Sequence, residues 1–152
     1  MRDLPVDLES TRIMVEEFIP FVRKVGVVLE EAGPRHVKLR YPAQDPNLNH
    51  VGMQHAGALF TFGETCGGAA ILTSFDLNHV ILVAKGARID YRKPVYDDIW
   101  CTIDVPPETV ERVESDLAAN GKALYPLTME AVNADGERVF QMTVDFHFRK
   151  RG

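Results

Sequence analysis

The chain is poor in cysteine, and its beginning lacks the pattern of an export signal. Cys66 and Cys101 are its two cysteines, too few for the disulfide framework that stabilises many small secreted domains. The opening residues contain no basic flank followed by an apolar run, so no secretory signal peptide is expected. These two shortages favour a protein of the reducing cytoplasm.

Clusters of basic residues are also missing. The chain has 17 Lys and Arg against 22 Asp and Glu, a net charge of -5, and its cations are scattered. Proteins that bind nucleic acid usually concentrate their cations in one footprint, so we expect no nucleic-acid partner. The histidines show no ligand spacing with cysteines or acids, so we expect neither a metal nor a resident cofactor.

Long uninterrupted apolar runs are absent as well. The most apolar stretch, residues 49 to 75, approaches the length of a membrane span, but Glu64, threonines and glycines interrupt it. We therefore expect a buried helix and no membrane partner. At 152 residues the chain can bury a core of its own, which predicts one domain, with a helical extension over residues 1–24 and the main body over residues 25–150.

The central stretch contains one charge that its structure does not need. Glu64 is the only carboxylate between Val51 and Phe75. A helix that is apolar on all sides is normally enclosed by its domain, which would place Glu64 in the core. There the pKa of a carboxyl group rises unless the group finds donors. Carboxyl groups in that state serve as general acids or bases, so Glu64 is the leading candidate for a catalytic residue.

The start of this helix is a second candidate feature. His55 and Glu64 are nine residues apart, which places them on opposite faces of a helix and about 13 Å apart along its axis. The free N–H groups near Ala56 and Gly57 suit a developing oxyanion. One chain cannot bring both features to one substrate atom. A shared site requires a second, antiparallel copy of the helix, as a two-fold dimer provides.

The spacing of Asn49, His55, the pair Ala56-Gly57 and Glu64 resembles the central helix of the hotdog-fold acyl-CoA thioesterases. The PaaI-type branch, named after the phenylacetate pathway, is the most similar. That resemblance implies an α+β hotdog fold, in which an antiparallel sheet wraps around one long helix. It also implies an acyl-CoA substrate, so that coenzyme A enters only as part of the substrate, and a homodimer or a dimer of dimers.

The resemblance also implies roles for individual residues. The N–H near Gly57 would polarise the thioester carbonyl, Asn49 and His55 would position it, and Glu64 of the other subunit would activate water or attack directly. Asn49 has a structural alternative, which is an Asx turn or a helix cap. His55 has the same alternative of a cap.

Further residues would contact the substrate. Ala56 replaces the first glycine of the family's His-Gly-Gly pattern, and Gly68 stands where relatives often carry Ser or Thr. Lys85, Arg88 and Arg92 could bind the phosphates of coenzyme A. A solvated strand face explains these three cations equally well.

Outside the central helix, apolar spacing predicts the remaining elements. We expect one amphipathic helix over residues 8–22, capped by Asp7 and ending near Pro20. Its apolar stripe of Met14, Phe18 and Phe21 would close either the edge of the core or the substrate mouth. The other expected elements are a hairpin over 26–31 and 36–41, strands over 80–94 and 99–105, an inserted helix over 107–120 and a hairpin over 122–133 and 138–149.

Two other functions fit parts of the sequence. Asp45 and His50 have the spacing of the acid-base pair in (R)-specific enoyl-CoA hydratases, which share the hotdog fold, although flanking Gly and Pro residues of that motif are missing. Gly68, in place of a hydroxyl residue, also allows a non-catalytic acyl-CoA-binding dimer.

Overall fold

One antiparallel sheet and one long helix dominate the fold. The computed structural model describes residues 6 to 152, so the first five residues of the expected helical extension lie outside the described part. The elements are α1 (Leu8–Arg12), a π-helical turn (Ile13–Glu17), α2 (Pro20–Val25), β1 (Val28–Gly33), β2 (His36–Tyr41), a 3-10 turn (Asp45–Asn47), α3 (Ala56–Leu72), β3 (Val80–Tyr91), β4 (Ile99–Asp104), α4 (Pro107–Asn120), β5 (Lys122–Val132) and β6 (Arg138–Lys150). The sheet order is β1-β2-β4-β5-β6-β3, and every neighbouring pair is antiparallel. The predicted α+β class is confirmed.

Helix α3 packs closely on the sheet because two of its turns carry glycine. A Cβ at Gly63 would lie 2.5 Å from Sδ of Met142, and a Cβ at Gly67 would lie 2.7 Å from the ring of Phe146. Both partners belong to β6, in which alternate side chains are buried. A larger residue at either glycine would clash with these side chains, so the two glycines allow α3 to lie close to the sheet.

One side of α3 is only partly covered by its own chain. Phe60, Glu64, Gly68 and Leu72, four residues apart, are half-buried, whereas all the residues between them are buried. Strands β2, β4, β5 and β6 pack against α3, but β3, at the end of the sheet, hardly contacts it. The expectation of a helix enclosed on every side is therefore wrong for this stripe.

Strand β3 is a long edge strand. It pairs with β6 on one side, and no strand of the described chain lies along its other side. Of its twelve residues only Val80 is buried. A β-bulge between Ala84 and Gly86 bends the strand. The outer N–H and C=O groups of such an edge are ready to pair with another strand.

The N-terminal arm, defined as residues 8 to 25, contains two short helices rather than the single helix expected. Asp7 caps the first as predicted, accepting a hydrogen bond from a backbone N–H at 2.8 Å. The helix then widens into the π-helical turn, where the N–H of Phe18 donates to the carbonyl of Ile13 at 3.0 Å. Pro20 begins the second helix.

Met14, Phe18 and Phe21 do not close the edge of the core, which was one of the two roles predicted for this apolar stripe. Met14, Phe18 and Phe21 are 42%, 69% and 62% exposed, whereas Val15 and Val22 are buried. The π-helical turn widens the helix, and the break before α2 resets the spacing, so one helical period cannot describe both pieces. The arm thus presents large apolar side chains to solvent.

The remaining elements agree with their sequence patterns. The two predicted hairpins form, and the inserted helix α4 ends at Gly121, whose φ of 68° is left-handed. Its stripe of Val110 and Val113 is buried, with Leu117 partly buried against the core. Within the described residues, no helix is long and apolar enough to cross a membrane.

Candidate functional site

Five of the nine residues predicted for the site line two separate cavities. The helix-start cavity has a volume of about 540 Å³, and Asn49, Ala56 and Arg92 are among its lining residues. The Glu64 cavity has a volume of about 320 Å³ and contains Glu64 and Gly68. No lining residue is shared between them. The two halves of the predicted site therefore do not meet within one chain.

At the helix-start cavity, His55 caps α3. Its Nδ1 accepts a hydrogen bond from the N–H of Gly57 at 2.8 Å, which fixes the tautomer with the proton on Nε2. His55 therefore takes its alternative role as a helix cap. Its ring occupies the N–H of Gly57, which was predicted to bind the oxyanion. The N–H of Ala56, one residue earlier, makes no hydrogen bond to the described residues. It is the donor left for a ligand.

Asn49 adopts its structural alternative. Its Oδ1 accepts hydrogen bonds from the N–H groups of Val51 at 3.0 Å and Met53 at 3.1 Å, which closes an Asx turn before the helix. The half-buried side chain still lines the helix-start cavity. Its amide nitrogen, a donor, makes no hydrogen bond within the described chain and is the group available to a carbonyl oxygen.

Tyr91 is a member of this cavity that sequence reasoning missed. Its hydroxyl donates to the carbonyl oxygen of Ala56 at 2.8 Å and so ties the end of β3 to the start of α3. Partial burial raises the pKa of Tyr91. The two partners are 35 residues apart, and neither belongs to a motif that would pair them, so the sequence held no signal for this contact.

The three predicted phosphate ligands do not converge. Arg92 lines the helix-start cavity and donates to the side chain of Gln141 at 3.4 Å. Arg88 forms an exposed ion pair with Asp90 at 3.2 Å, and Lys85 is exposed and lines neither cavity. Of the three, Arg92 is the one whose position suits a bound anion at the helix start, and a phosphate role for all three stays a prediction.

Glu64 lies half-buried on the wall of its cavity. It makes no hydrogen bond or ion pair with any described residue, and burial raises the pKa of its carboxyl group. One turn further on, a Cβ at Gly68 would meet nothing within 4 Å, so the absent side chain leaves open space beside the carboxyl group. An unpartnered carboxyl group facing open space can take a proton from a ligand or a water molecule.

Thr65 is a second polar residue of this cavity that the sequence analysis did not select. Its side chain is buried, and its Oγ1 has no hydrogen-bond partner in the described chain. Buried hydroxyl groups are normally paired, so this one is unusual. A threonine inside a helix gives no sequence signal of that kind, because most such hydroxyls bond to the carbonyl of the preceding turn.

The residues of the hydratase alternative lie elsewhere. Asp45 and His50 are exposed in the loop before α3 and line neither cavity. The described residues also contain no group of three or more His, Cys, Asp or Glu side chains that could hold a metal ion.

The fold defines the class of protein. A sheet wrapped around one long helix is the hotdog fold of the thioesterase superfamily, as the sequence resemblance implies. The mouse thioesterase superfamily member 2 aligns with a TM-score of 0.70 at 18% identity, over 98% of this chain and 100% of that chain. A thioesterase from Haemophilus influenzae aligns with a TM-score of 0.73 at 11% identity, over 97% and 94%. At these identities the likeness shows the fold alone.

The chain belongs to the family described as Domain of unknown function (DUF4442), whose model matches residues 9–147. A Pseudomonas aeruginosa protein of unknown function, called a probable thioesterase, is 33% identical over 99% of this chain and 100% of that chain, with a TM-score of 0.90. Among curated proteins, no sequence matches the chain. The narrower resemblance to the PaaI-type branch stays a prediction.

Proposed function

We propose that this protein hydrolyses an acyl-CoA thioester to a carboxylic acid and free coenzyme A, at two equivalent sites that each use both chains of a homodimer. The observation that carries the proposal is the separation of Glu64 and the helix start into two cavities of one chain. Each cavity holds half of a hydrolytic site. A second copy that runs antiparallel along α3 would join the halves.

Two surfaces suit such a second copy. The open edge of β3 can pair with the same edge of another chain and extend the sheet across the dimer. The half-buried stripe of α3 is apolar apart from Glu64, and its member Phe60 lines neither cavity and can meet a second copy. The rest of the stripe shares its cavity with residues of β3. Burial of both surfaces would bring Glu64 towards the helix start of the partner subunit.

The chemistry follows from the two halves. The N–H of Ala56 would bind the thioester carbonyl oxygen and stabilise the negative charge that develops on it, helped by the amide of Asn49. Glu64 from the other chain would take a proton from the attacking water. The tetrahedral intermediate then expels the coenzyme A thiolate, which receives that proton. The raised pKa keeps Glu64 a stronger base than an ordinary carboxylate, and activity should fall as pH drops through that pKa.

A complementation experiment tests the shared site. Glu64→Gln removes the base, and Ala56→Pro removes the N–H from the first position of α3, where proline is well tolerated. His55 already has the extended backbone, φ -65° and ψ 136°, that a following proline requires. Each variant alone should lose about 100-fold or more in kcat. Mixed dimers isolated with two different tags should recover about half of the wild-type rate, because one of their two sites is intact.

Failure of the mixed dimers to recover activity would overturn the shared site. Free-thiol release from a panel of acyl-CoA thioesters separates hydrolysis from the non-catalytic binding alternative. Oxygen-18 transfer into Glu64 during one turnover would identify it as the nucleophile, and transfer only into the product would identify it as the base.

A further inference from the structure

The Glu64 cavity is polar at one end only. Apart from Glu64 and Thr65, every side chain on its wall is apolar. The wall is made by α3, the N-terminal arm, the loop after α3 and the adjoining strands β3 and β6. An occupant that satisfies this cavity is therefore apolar along its length and polar where it meets Glu64.

The cavity follows α3 for about two turns. Its wall on this helix begins at Glu64 and ends at Leu72, which are about 12 Å apart at a rise of 1.5 Å per residue. Gly68 lies midway and leaves the space beside it open. An extended chain advances about 1.25 Å for each C–C bond of about 1.5 Å, so about nine or ten carbon atoms span this length. A compact ring would fill only part of it.

The N-terminal arm supplies the outer wall. Met14, Phe18 and Ile19 line the cavity and are nevertheless 42%, 69% and 50% exposed. Large apolar side chains in solvent at the rim of a cavity are a feature of ligand-binding grooves. The π-helical turn that ends beside Phe18 is a distortion often found at functional sites.

We infer that the Glu64 cavity binds an unbranched aliphatic acyl chain of about eight to ten carbons, and that the N-terminal arm determines this preference. The inference rests on the proposed function, which places the reacting carbonyl at Glu64. The chain attached to that carbonyl then extends along α3 past Gly68 towards Leu72, and Phe18 covers it. The expected substrates are saturated medium-chain acyl-CoA thioesters rather than aryl-acetyl ones.

A substrate series tests the preference for chain length. Thiol release would be measured with butanoyl-, octanoyl-, decanoyl- and hexadecanoyl-CoA and with phenylacetyl-CoA. We expect kcat/KM for octanoyl- or decanoyl-CoA to exceed that for butanoyl- and phenylacetyl-CoA about tenfold or more, because each buried methylene adds to binding. Equal rates across the series, or a preference for phenylacetyl-CoA, would overturn the inference.

A matched pair of arm variants tests the role of Phe18. Phe18→Ser removes a ring at the cavity, and Phe21→Ser removes a similarly exposed ring of the same arm that does not line it. Loss of part of the ring's apolar contact should lower kcat/KM for decanoyl-CoA about tenfold in the first variant. The loss with butanoyl-CoA should be several-fold smaller, and all rates of the second variant should stay near wild type. Equal effects of both variants would contradict the assignment.

Two further measurements separate this inference from the proposed function. Leu72→Trp, at the far end of the cavity, should move the optimum to shorter chains, and an unchanged optimum would count against the inference. Calorimetry with S-decyl- and S-butyl-coenzyme A, thioethers that cannot be hydrolysed, measures the cavity without the reaction. Tighter binding of the decyl compound that is lost in Phe18→Ser supports the inference even in a protein that releases no thiol. Hydrolysis that depends on Glu64, without any difference between the thioethers, supports the function and overturns the inference.

Discussion

At Thr65 the fold leaves a buried hydroxyl without a hydrogen bond, and this has a measurable cost. Its Oγ1 lost its hydrogen bonds to water on folding and gained none within the described chain, a loss of about 1–3 kcal/mol. Thr65→Val keeps the shape and removes the hydroxyl, so we expect the free energy of unfolding to rise by about 1 kcal/mol. Urea denaturation at one fixed protein concentration measures it.

Thr61, one turn earlier on the same helix, is the matched control. Its hydroxyl donates to the carbonyl oxygen of Gly57 at 2.9 Å, so this bond is lost in Thr61→Val. The control should therefore be destabilised, by about 0.5–1.5 kcal/mol. A Thr65→Val protein that loses stability like the control would show that the Thr65 hydroxyl is paired in solution.

His36 makes the stability of the hairpin end depend on pH. Its Nδ1 lies 2.7 Å from Asp104 and its Nε2 lies 3.2 Å from Glu31, while Lys38 lies 3.8 Å from Glu31. A neutral imidazole has one N–H and cannot donate to both carboxylates, so the charged form is favoured. The hydrogen bond to Asp104, more than that to Glu31, raises the pKa of His36 against a smaller opposing effect of burial.

The raised pKa of His36 determines whether its contribution to stability grows or shrinks with pH. A group whose pKa is higher in the folded state stabilises the protein below its unfolded pKa, about 6.5 for histidine, and loses that effect as pH rises through the folded value. The unfolding free energy of wild type minus that of His36→Gln should therefore be largest near pH 5.5 and shrink towards pH 9, with a maximum under about 1 kcal/mol for so exposed a pair. A difference that grows with pH would contradict this account.

Single residues of the site were predictable where their environment is local. Glu64 follows from one charge in an apolar helix, and its raised pKa agrees with that reasoning. The Asx turn of Asn49 was one of two alternatives, because the side chain bonds within four residues. Tyr91 was not predictable, since its contact with Ala56 depends on how far β3 extends past the helix start.

At the scale of elements, the open edge of β3 predicts how the proposed dimer can be broken. Ala87 is exposed on β3 and lines neither cavity. Ala87→Lys places a charge at the edge, which opposes strand pairing with a second copy. We expect a folded monomer by light scattering, with unchanged circular dichroism and with thiol release reduced to the level of Glu64→Gln.

Leu124→Lys is the control for this variant. Leu124 is also open to solvent but lies on β5, which β6 separates from the β3 edge. The control should keep both the dimer and the activity. An active Ala87→Lys monomer would show that one chain suffices, and the shared site would then be wrong.

Element boundaries followed from the sequence wherever one period governs a whole segment. The alternation in β4, β5 and β6 and the single stripe of α4 are of this kind. The prediction of a single helix for the N-terminal arm was wrong, because the π-helical turn and the break before α2 combine two helical periods in eighteen residues. A single helical period applied to such a segment groups side chains that lie on different faces of the helices.

For the whole molecule, the sequence predicted the layers but not where the sheet ends. The α+β class and the buried helix follow from composition, spacing and resemblance. The half-buried stripe of α3 depends on β3 being the last strand in the sheet. Strand order arises from long-range pairing, which local patterns do not encode.

If two chains share each site as proposed, the two cavities along α3 also have a genetic consequence. A cell that carries two defective copies of this gene, one damaged at Glu64 and the other at the helix start, would still assemble some dimers with one working site. Such alleles would rescue each other, whereas two alleles damaged at the same end would not. A map of which lesions complement would then mark, residue by residue, which half of the site each belongs to.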